Sequence, residues 1–321
     1  MASQHSSKKV IYAALLGNLL IAITKLAAAA WTGSSAMLSE GIHSLVDTGN
    51  EVLLLYGLHR AARPPDVTRP FGYGREIYFW TFIVALLVFA LGAGVSFYEG
   101  IVHMRDPEPM ESPIVNYVVI GLSLVFEGGS WWFALKEFRR AKGSLGYFRA
   151  VHESKDPTTF TVLFEDSAAL LGLLIALIGI SAAQTFDRPE LDGLASIGIG
   201  LVLAATAFVL ARETKGLLMG EAAHPDVQAS ILSIAQADPA VERANGVLTV
   251  HMGPQQVVAA LSADFEDDLT TADIEACVKR IETQVKASHP EITTLFIKPQ
   301  NTGTYRKRQQ ALEEPVRIRN E

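Results

Sequence analysis

The chain has 321 residues, of which 49% are hydrophobic and 19% are charged, and its formal net charge is −7. With 27 basic residues against 34 acidic ones, there is no basic excess for phosphate backbones, which argues against nucleic-acid binding. A single cysteine, Cys277, excludes an internal disulfide and any Cys-Cys metal motif. The mean hydropathy of +0.24 is high for a soluble protein and low for a wholly membrane-embedded one, so the apolar residues must be unevenly distributed.

Apolar stretches of membrane-spanning length fill the first two thirds of the chain. About 20 helical residues cross the roughly 30 Å of hydrocarbon, and backbone groups in lipid must be paired internally, which favours helices. The first stretch has no small-residue cleavage site after it, so we expect a retained span rather than a signal peptide. The six predicted spans are Val10–Trp31, Ala36–Leu58, Ile77–Ile101, Ile114–Leu135, Phe160–Ala183 and Leu191–Leu210.

Basic residues are concentrated in the second and fourth loops between these spans. By the positive-inside rule these loops face the cytoplasm, which places both termini there. The N-terminal segment is short and contains no arginine, so we expect no organellar transit peptide and favour a bacterial-type inner or plasma membrane. The basic residues are Arg60, Arg63, Arg69 and Arg75 in one loop, and Arg139, Arg140, Lys142, Arg149 and Lys155 in the other.

The sequence changes character from Gly216 onward. Its patterns predict elements in the order αββαβ, which describes a small two-layer α+β domain. We therefore expect a transmembrane domain at 1–215, a cytoplasmic domain at 216–300 and a charged, disordered tail at 301–321. The predicted elements of the second domain are helix Pro225–Ala237, strands Val247–Met252 and Val257–Phe265, a helix that opens at Thr270 and runs to Ser288, and strand Thr293–Ile297.

Ionisable residues inside two spans predict the chemistry. Span two carries four of them on one helical face, and such groups are costly at membrane depth unless they face a cavity or a partner. Span five adds Glu165 and Asp166. Imidazole and carboxylates converging from two helices suit Zn²⁺ or a related divalent metal, so His43, Asp47 and Asp166 are the predicted ligands. The four residues of span two are Glu40, His43, Asp47 and Glu51.

Other intramembrane polar residues have a simpler interpretation. Glu127 in span four and Glu99 near the end of span three are expected to bond a neighbouring helix or lie at the interface rather than bind metal. Lys25 is a candidate partner for one of the buried carboxylates.

Four segments together resemble the cation diffusion facilitator family. They are Ser39–Asp47 (SEGIHSLVD), Arg69–Arg75 (RPFGYGR), Glu165–Ser167 (EDS) and Leu191–Ser196 (LDGLAS). The resemblance covers about residues 10–300. It implies six transmembrane helices followed by a ferredoxin-like cytoplasmic domain, and a homodimeric exporter of divalent metal, commonly zinc, that exchanges metal for protons.

The chain departs from that family at span five. The family supplies a His-x-x-x-Asp pair there, and Asp166 matches the Asp, but Val162 stands where the His would be. Glu165, water or a backbone carbonyl is left as the additional ligand, although Glu165 lies about 100° around the helix from Asp166. The Glu-Asp-Ser variant resembles a divergent branch that includes mitochondrial-type zinc transporters. Secondary metal sites in the loops and the cytoplasmic domain are not expected.

The residues thus favour a zinc/proton antiporter that works by alternating access, with no prosthetic group. One histidine with carboxylates also admits Mn²⁺, Fe²⁺ or Co²⁺. An intramembrane metal-dependent enzyme and a receptor that binds metal without transport stay open as alternatives. Neither a His-Glu-x-x-His nor a Gly-x-Ser-x-Gly motif occurs in the sequence.

Overall fold

A computed structural model describes residues 2–107, 110, 112–143 and 145–313. The chain divides into two compact units. Unit 1 comprises 1–63 and 76–216, and unit 2 comprises Pro64–Arg75 and Leu217–Glu321. The second unit thus includes the loop before the third predicted span as well as the chain from Leu217 onward.

Unit 1 consists of long helices. Each predicted span is helical, and the third is interrupted by a π-helical segment, Val88–Ala93. A short helix that the sequence did not predict, α6, precedes the fifth span. The helices are α1 (Ala2–Thr32), α2 (Ser35–Ala61), α3 (Glu76–Leu87), α4 (Gly94–Arg105), α5 (Ile114–Lys142), α6 (Tyr147–Glu153), α7 (Pro157–Phe186) and α8 (Glu190–Met219).

Five of the predicted spans are helices long and apolar enough to cross a membrane. They are Leu15–Thr32, Glu76–Arg105, Ile114–Arg140, Phe160–Phe186 and Glu190–Met219. Helix α2 is not in this set, and it carries three acidic residues, Glu40, Asp47 and Glu51. Large apolar side chains point away from the bundle, as expected of lipid-facing surfaces, including Val125, Phe126, Phe133, Ile178, Leu201 and Phe208.

Helix α2 is packed against several other helices of unit 1. It contacts α1, α3, α4 and α7, and the interior around it contains many small side chains that let helices approach closely. A Cβ added to Gly41 would meet the Leu26 side chain of α1 at 2.7 Å. This central position explains how polar residues of α2 are buried in protein rather than exposed to lipid.

Unit 2 has the predicted element order αββαβ. The sheet order is β1-β2-β3, with β1 and β2 antiparallel and β2 and β3 parallel. The helices cover an apolar core in which Ile281 and Val285 are completely buried, as their helical spacing predicted. The elements are α9 (Pro225–Gln236), β1 (Val241–Gly253), β2 (Gln256–Phe265), α10 (Thr271–Ser288) and β3 (Ile292–Pro299).

The tail differs from the expected disorder. Helix α11 (Thr302–Glu313) follows β3 directly. Its first residue is held in place because the Thr302 amide donates to Oδ2 of Asp264 at 2.7 Å and its hydroxyl donates to Oδ1 of Asn245 at 2.8 Å. The expectation of a disordered tail was therefore wrong for 302–313, and residues 314–321 lie outside the described residues.

Candidate metal centre

Helix α2 carries its ionisable side chains into the interior of unit 1. Glu40 and His43 are completely buried, and the Asp47 side chain is 21% exposed. Nδ1 of His43 lies 3.4 Å from Oδ1 of Asp47. Among the described residues, neither atom has a hydrogen-bond partner, nor does Nε2 of His43. Buried polar atoms are normally hydrogen-bonded, so Oδ1 of Asp47 and the unprotonated nitrogen of His43 could bind a ligand without giving up an existing hydrogen bond.

Helix α7 contributes two carboxylates, each held by a neighbouring helix. Oε1 of Glu165 accepts a hydrogen bond from Nδ2 of Asn50 on α2 at 2.7 Å. Oδ2 of Asp166 accepts one from Oγ of Ser130 on α5 at 2.9 Å. Three helices therefore fix the orientation of this acidic pair.

A small cavity joins these groups. Its volume is about 40 Å³, and a water molecule needs roughly 10–15 Å³ on this measure, so a few waters or one partly hydrated ion would fill it. Its lining is rich in oxygen atoms, which suits a cation. The lining residues are Asn18, Ile21, Ser44, Asp47, Glu51, Glu127, Ser130, Val162, Glu165, Asp166 and Ala169.

The predicted ligands are only partly assembled. Asp47, Glu165 and Asp166 line the same cavity, whereas His43 lies behind Asp47, one helical turn away. Among the described residues, no three His, Cys, Asp or Glu side chains stand close enough together to hold a metal ion as they are placed. Ion binding at this cavity would therefore require side chains to move inward.

Several cavity residues were not predicted as part of the site. Glu51 accepts a hydrogen bond from Nδ2 of Asn18 at 2.5 Å. Glu127 and Ser130 of α5 reach the cavity as well. Their separation of three residues, which places them on one helical face, was a signal in the sequence, but nothing local indicated that this face turns toward α2 and α7.

Lys25 forms the predicted ion pair, and with two carboxylates rather than one. Its Nζ lies 3.0 Å from Oε2 of Glu40 and 2.6 Å from Oε1 of Glu127. It also donates to Oγ of Ser44 at 2.9 Å. The expectation that Glu127 bonds a neighbouring helix is thereby confirmed, and a lysine places its charge beside the cavity.

The polar residues of unit 2 are engaged locally. His251 is buried, with Nδ1 3.3 Å from the carbonyl oxygen of Gly253, and Nε2 of His289 lies 2.7 Å from Oγ of Ser230. In the loop of this unit, Asp66 accepts hydrogen bonds from the Tyr73 hydroxyl and from Thr68, and these bonds hold the pKa of its carboxyl below the usual range. These contacts give each group a structural role.

Comparison with known proteins identifies the class. Residues 11–219 match the family described as the cation efflux transmembrane domain. The chain therefore belongs to the cation efflux (cation diffusion facilitator) family and is an integral membrane protein. The resemblance inferred from the four sequence segments is confirmed.

Individual relatives place the chain within that family. It is 37% identical over 267 residues to the proton-coupled zinc antiporter SLC30A9, mitochondrial, of Xenopus laevis, covering 82% of this chain and 47% of that protein. It is 30% identical over 269 residues to metal tolerance protein C4 of Arabidopsis thaliana, covering 83% and 58%. The cation-efflux pump FieF of Cronobacter sakazakii is 26% identical over 285 residues, covering 88% and 89%.

These matches confirm the similarity to a mitochondrial-type branch. The chain spans about half the length of the zinc antiporters that it matches. The relatives are named as transporters rather than enzymes.

Proposed function

We propose that this protein carries a divalent metal ion, Zn²⁺ in the first place, across a membrane in exchange for protons. The observation that carries the proposal is the acidic cavity between α2, α5 and α7, inside a cation efflux domain. The names of the relatives support zinc as substrate and protons as counter-ion. Mn²⁺, Fe²⁺ and Co²⁺ are the alternatives within the same chemistry.

In this proposal α2 also crosses the membrane, which brings the number of transmembrane helices to six. Its 27 residues extend about 40 Å at 1.5 Å per residue, which is enough to cross a bilayer. Its polar face is protected because other helices surround it. Exposed apolar side chains of α2, such as Leu45 and Val52, would then face lipid, and the cost of the buried charges falls on a protein interior rather than on hydrocarbon.

The proposed ligands are His43, Asp47 and Asp166, with Glu165 as a possible additional ligand. The unpartnered nitrogens of His43 and Oδ1 of Asp47 supply the mixed nitrogen and oxygen donors that zinc accepts. Val162 lines the cavity in place of a donor, which reduces the nitrogen content of the site. An arriving ion would draw Asp47 and Asp166 together across the cavity.

Proton exchange follows from the chemistry of these ligands. Metal binds the neutral imidazole and the ionised carboxylates, so protons and metal compete for the same atoms. Moving one charge against 100 mV costs about 2.3 kcal/mol, hence about 4.6 for a divalent ion. Protons moving the opposite way offset this term. Alternating access would come from rocking of helices around the fixed cavity.

The protein is proposed to act as a homodimer with no prosthetic group. Both termini would face the cytoplasm of a bacterial-type inner or plasma membrane, as the basic loops indicate. The names of several relatives place those proteins in mitochondria, so a mitochondrial membrane is the alternative location.

Zinc flux into proteoliposomes containing the full chain tests this function. Asp47→Asn and Asp166→Asn keep the side-chain shape but remove a ligand charge, and each should reduce flux to the level of empty liposomes. The matched control is Glu99→Gln, because Glu99 is a carboxylate of α4 that does not line the cavity. Wild-type flux in the two Asp variants would refute the proposed site. Zinc binding without flux in the wild type would favour a receptor.

A further inference from the structure

A buried lysine stands beside the cavity and holds one of its acids. Lys25 has no exposed surface, and its ammonium group contacts Glu40, Ser44 and Glu127. An ammonium group has three N–H donors, so these three contacts use all of them. The cation is thus fixed in position by α2 and α5.

Glu127 divides its carboxylate between the lysine and the cavity. Oε1 contacts Lys25 at 2.6 Å, while Oε2 is buried and has no hydrogen-bond partner in the described part of the chain. The side chain is 13% exposed and lines the cavity together with Asp47 and Asp166. One turn further along α5, Ser130 is bonded to Asp166. The same face of α5 therefore reaches both a predicted metal ligand and the lysine.

The charges suggest why this arrangement exists. Five carboxylates line the cavity, from Asp47, Glu51, Glu127, Glu165 and Asp166, and Lys25 is a cation in direct contact with one of them. Buried carboxylates need a compensating cation. When no metal is present, Lys25 serves this purpose for Glu127. A divalent ion in the cavity would supply the same compensation and could take over the carboxylate.

We propose that Glu127 is a ligand of the transported ion. When the ion enters the cavity, the Glu127 carboxylate leaves Lys25 and binds the metal, so lysine and metal compete for one carboxylate. The inference rests on the proposed function and deepens it. Glu127 then supplies the donor that Val162 cannot provide. Lys25, which stays paired with Glu40, acts as a positioning residue that weakens metal binding and favours release.

Two variants of the full chain separate this role from a structural one. Glu127→Gln removes the negative charge of the proposed ligand. Lys25 remains paired with Glu40, and the charges of that pair cancel. Zinc dissociation constants, measured by calorimetry on detergent-solubilised protein, should rise about 10- to 100-fold, the range for lost metal-site groups. The double variant K25Q/E40Q removes one charge of each sign and frees Glu127. The zinc affinity of this variant should increase about tenfold. An increase of this size corresponds to a wild-type protein in which Glu127 is free of Lys25 in about a tenth of the molecules.

A spectroscopic readout completes the test. Co²⁺ bound to the wild-type chain reports its ligands through its absorption bands, and Glu127→Gln should shift them, whereas Glu99→Gln should not. Unchanged zinc affinity together with an unchanged Co²⁺ spectrum in Glu127→Gln would overturn the proposal, as would affinity in K25Q/E40Q equal to or weaker than wild type. If Asp47→Asn and Asp166→Asn also bind zinc normally, the proposed function itself fails, and the two failures are thereby distinguished.

Discussion

At the residue scale, the contacts that could be predicted most directly from the sequence are those within one helix. A spacing of four residues places His43 next to Asp47 on one helical face, and in the structure Nδ1 of His43 lies 3.4 Å from Oδ1 of Asp47. Lys25 was expected to pair with a buried carboxylate, but the sequence did not show that Glu127 would be a partner, because 102 residues separate the two. Only the packing of α1 against α5 joins them, and no local pattern encodes that packing.

Asp192 is a second residue whose role depends on a distant partner. It lies in the LDGLAS segment, and its carboxylate accepts hydrogen bonds from Oγ of Ser34 at 2.9 Å, the amide of Ser35 at 2.6 Å and the amide of Ala36 at 3.3 Å. The first amides of a helix have no partner within the helix. Asp192, on α8, therefore caps the N-terminus of α2. Its negative charge also interacts favourably with the positive end of the α2 dipole.

Replacement of Asp192 by Ala should destabilise the protein by about 2 kcal/mol, since buried amides lose a charged acceptor. The measurement is thermal unfolding of the detergent-solubilised chain. Asp187→Asn is the matched control. Asp187 is the C-cap of α7, and its backbone is in the left-handed region, a conformation that asparagine tolerates. Equal unfolding temperatures for the two variants would contradict a capping role for Asp192.

At the scale of elements, glycines decide how closely helices cross. Helices α4 and α8 approach each other at Gly100 and Gly193. A Cβ on Gly100 would stand 2.7 Å from the carbonyl oxygen of Gly193, and a Cβ on Gly193 would stand 2.9 Å from that of Gly100. Both neighbours are backbone atoms and cannot turn aside, so an added methyl group would force the helices apart.

Gly193→Ala should therefore destabilise the protein by about 1–3 kcal/mol, the usual cost of overpacking. Gly121→Ala provides the control, because a Cβ on Gly121 would lie more than 4 Å from every described atom outside its own stretch of helix. Alanine also has a higher helix propensity than glycine. In detergent, Gly193→Ala should therefore lower the unfolding temperature relative to the wild type, and Gly121→Ala should raise it. A Gly193→Ala protein as stable as the Gly121→Ala protein would show that the α4–α8 crossing is loose.

Element boundaries were well predicted where periodicity is strong. Helix α10 was expected to open at Thr270, and its N-cap is Thr270 with a reciprocal capping box to Asp273. Helix α11 was missed because its sequence contains few apolar residues. Tyr305 packs so closely against β1 that a Cβ on Gly246 would overlap its ring. The sequence of the tail alone does not indicate that contact.

At the scale of the whole molecule, the uneven hydropathy predicts a membrane bundle and a small α+β domain, and the structure consists of two compact units. Helix α2 shows the limit of hydropathy as a guide. Its sequence is long enough to span, but its charges exclude it from the helices that are apolar enough to cross a membrane. Two of those charged residues, Asp47 and Glu51, line the cavity, so a helix central to the proposed site is the one whose composition least resembles a membrane span.

The central claim is that this cavity exchanges zinc for protons, and the most direct measurement follows both ions at once. Sealed liposomes containing the purified chain would hold a zinc-sensitive and a pH-sensitive dye inside, with zinc added outside. The account predicts that zinc enters while the lumen becomes alkaline, and that Asp47→Asn abolishes both signals together. Zinc entry with no change in lumenal pH would contradict it.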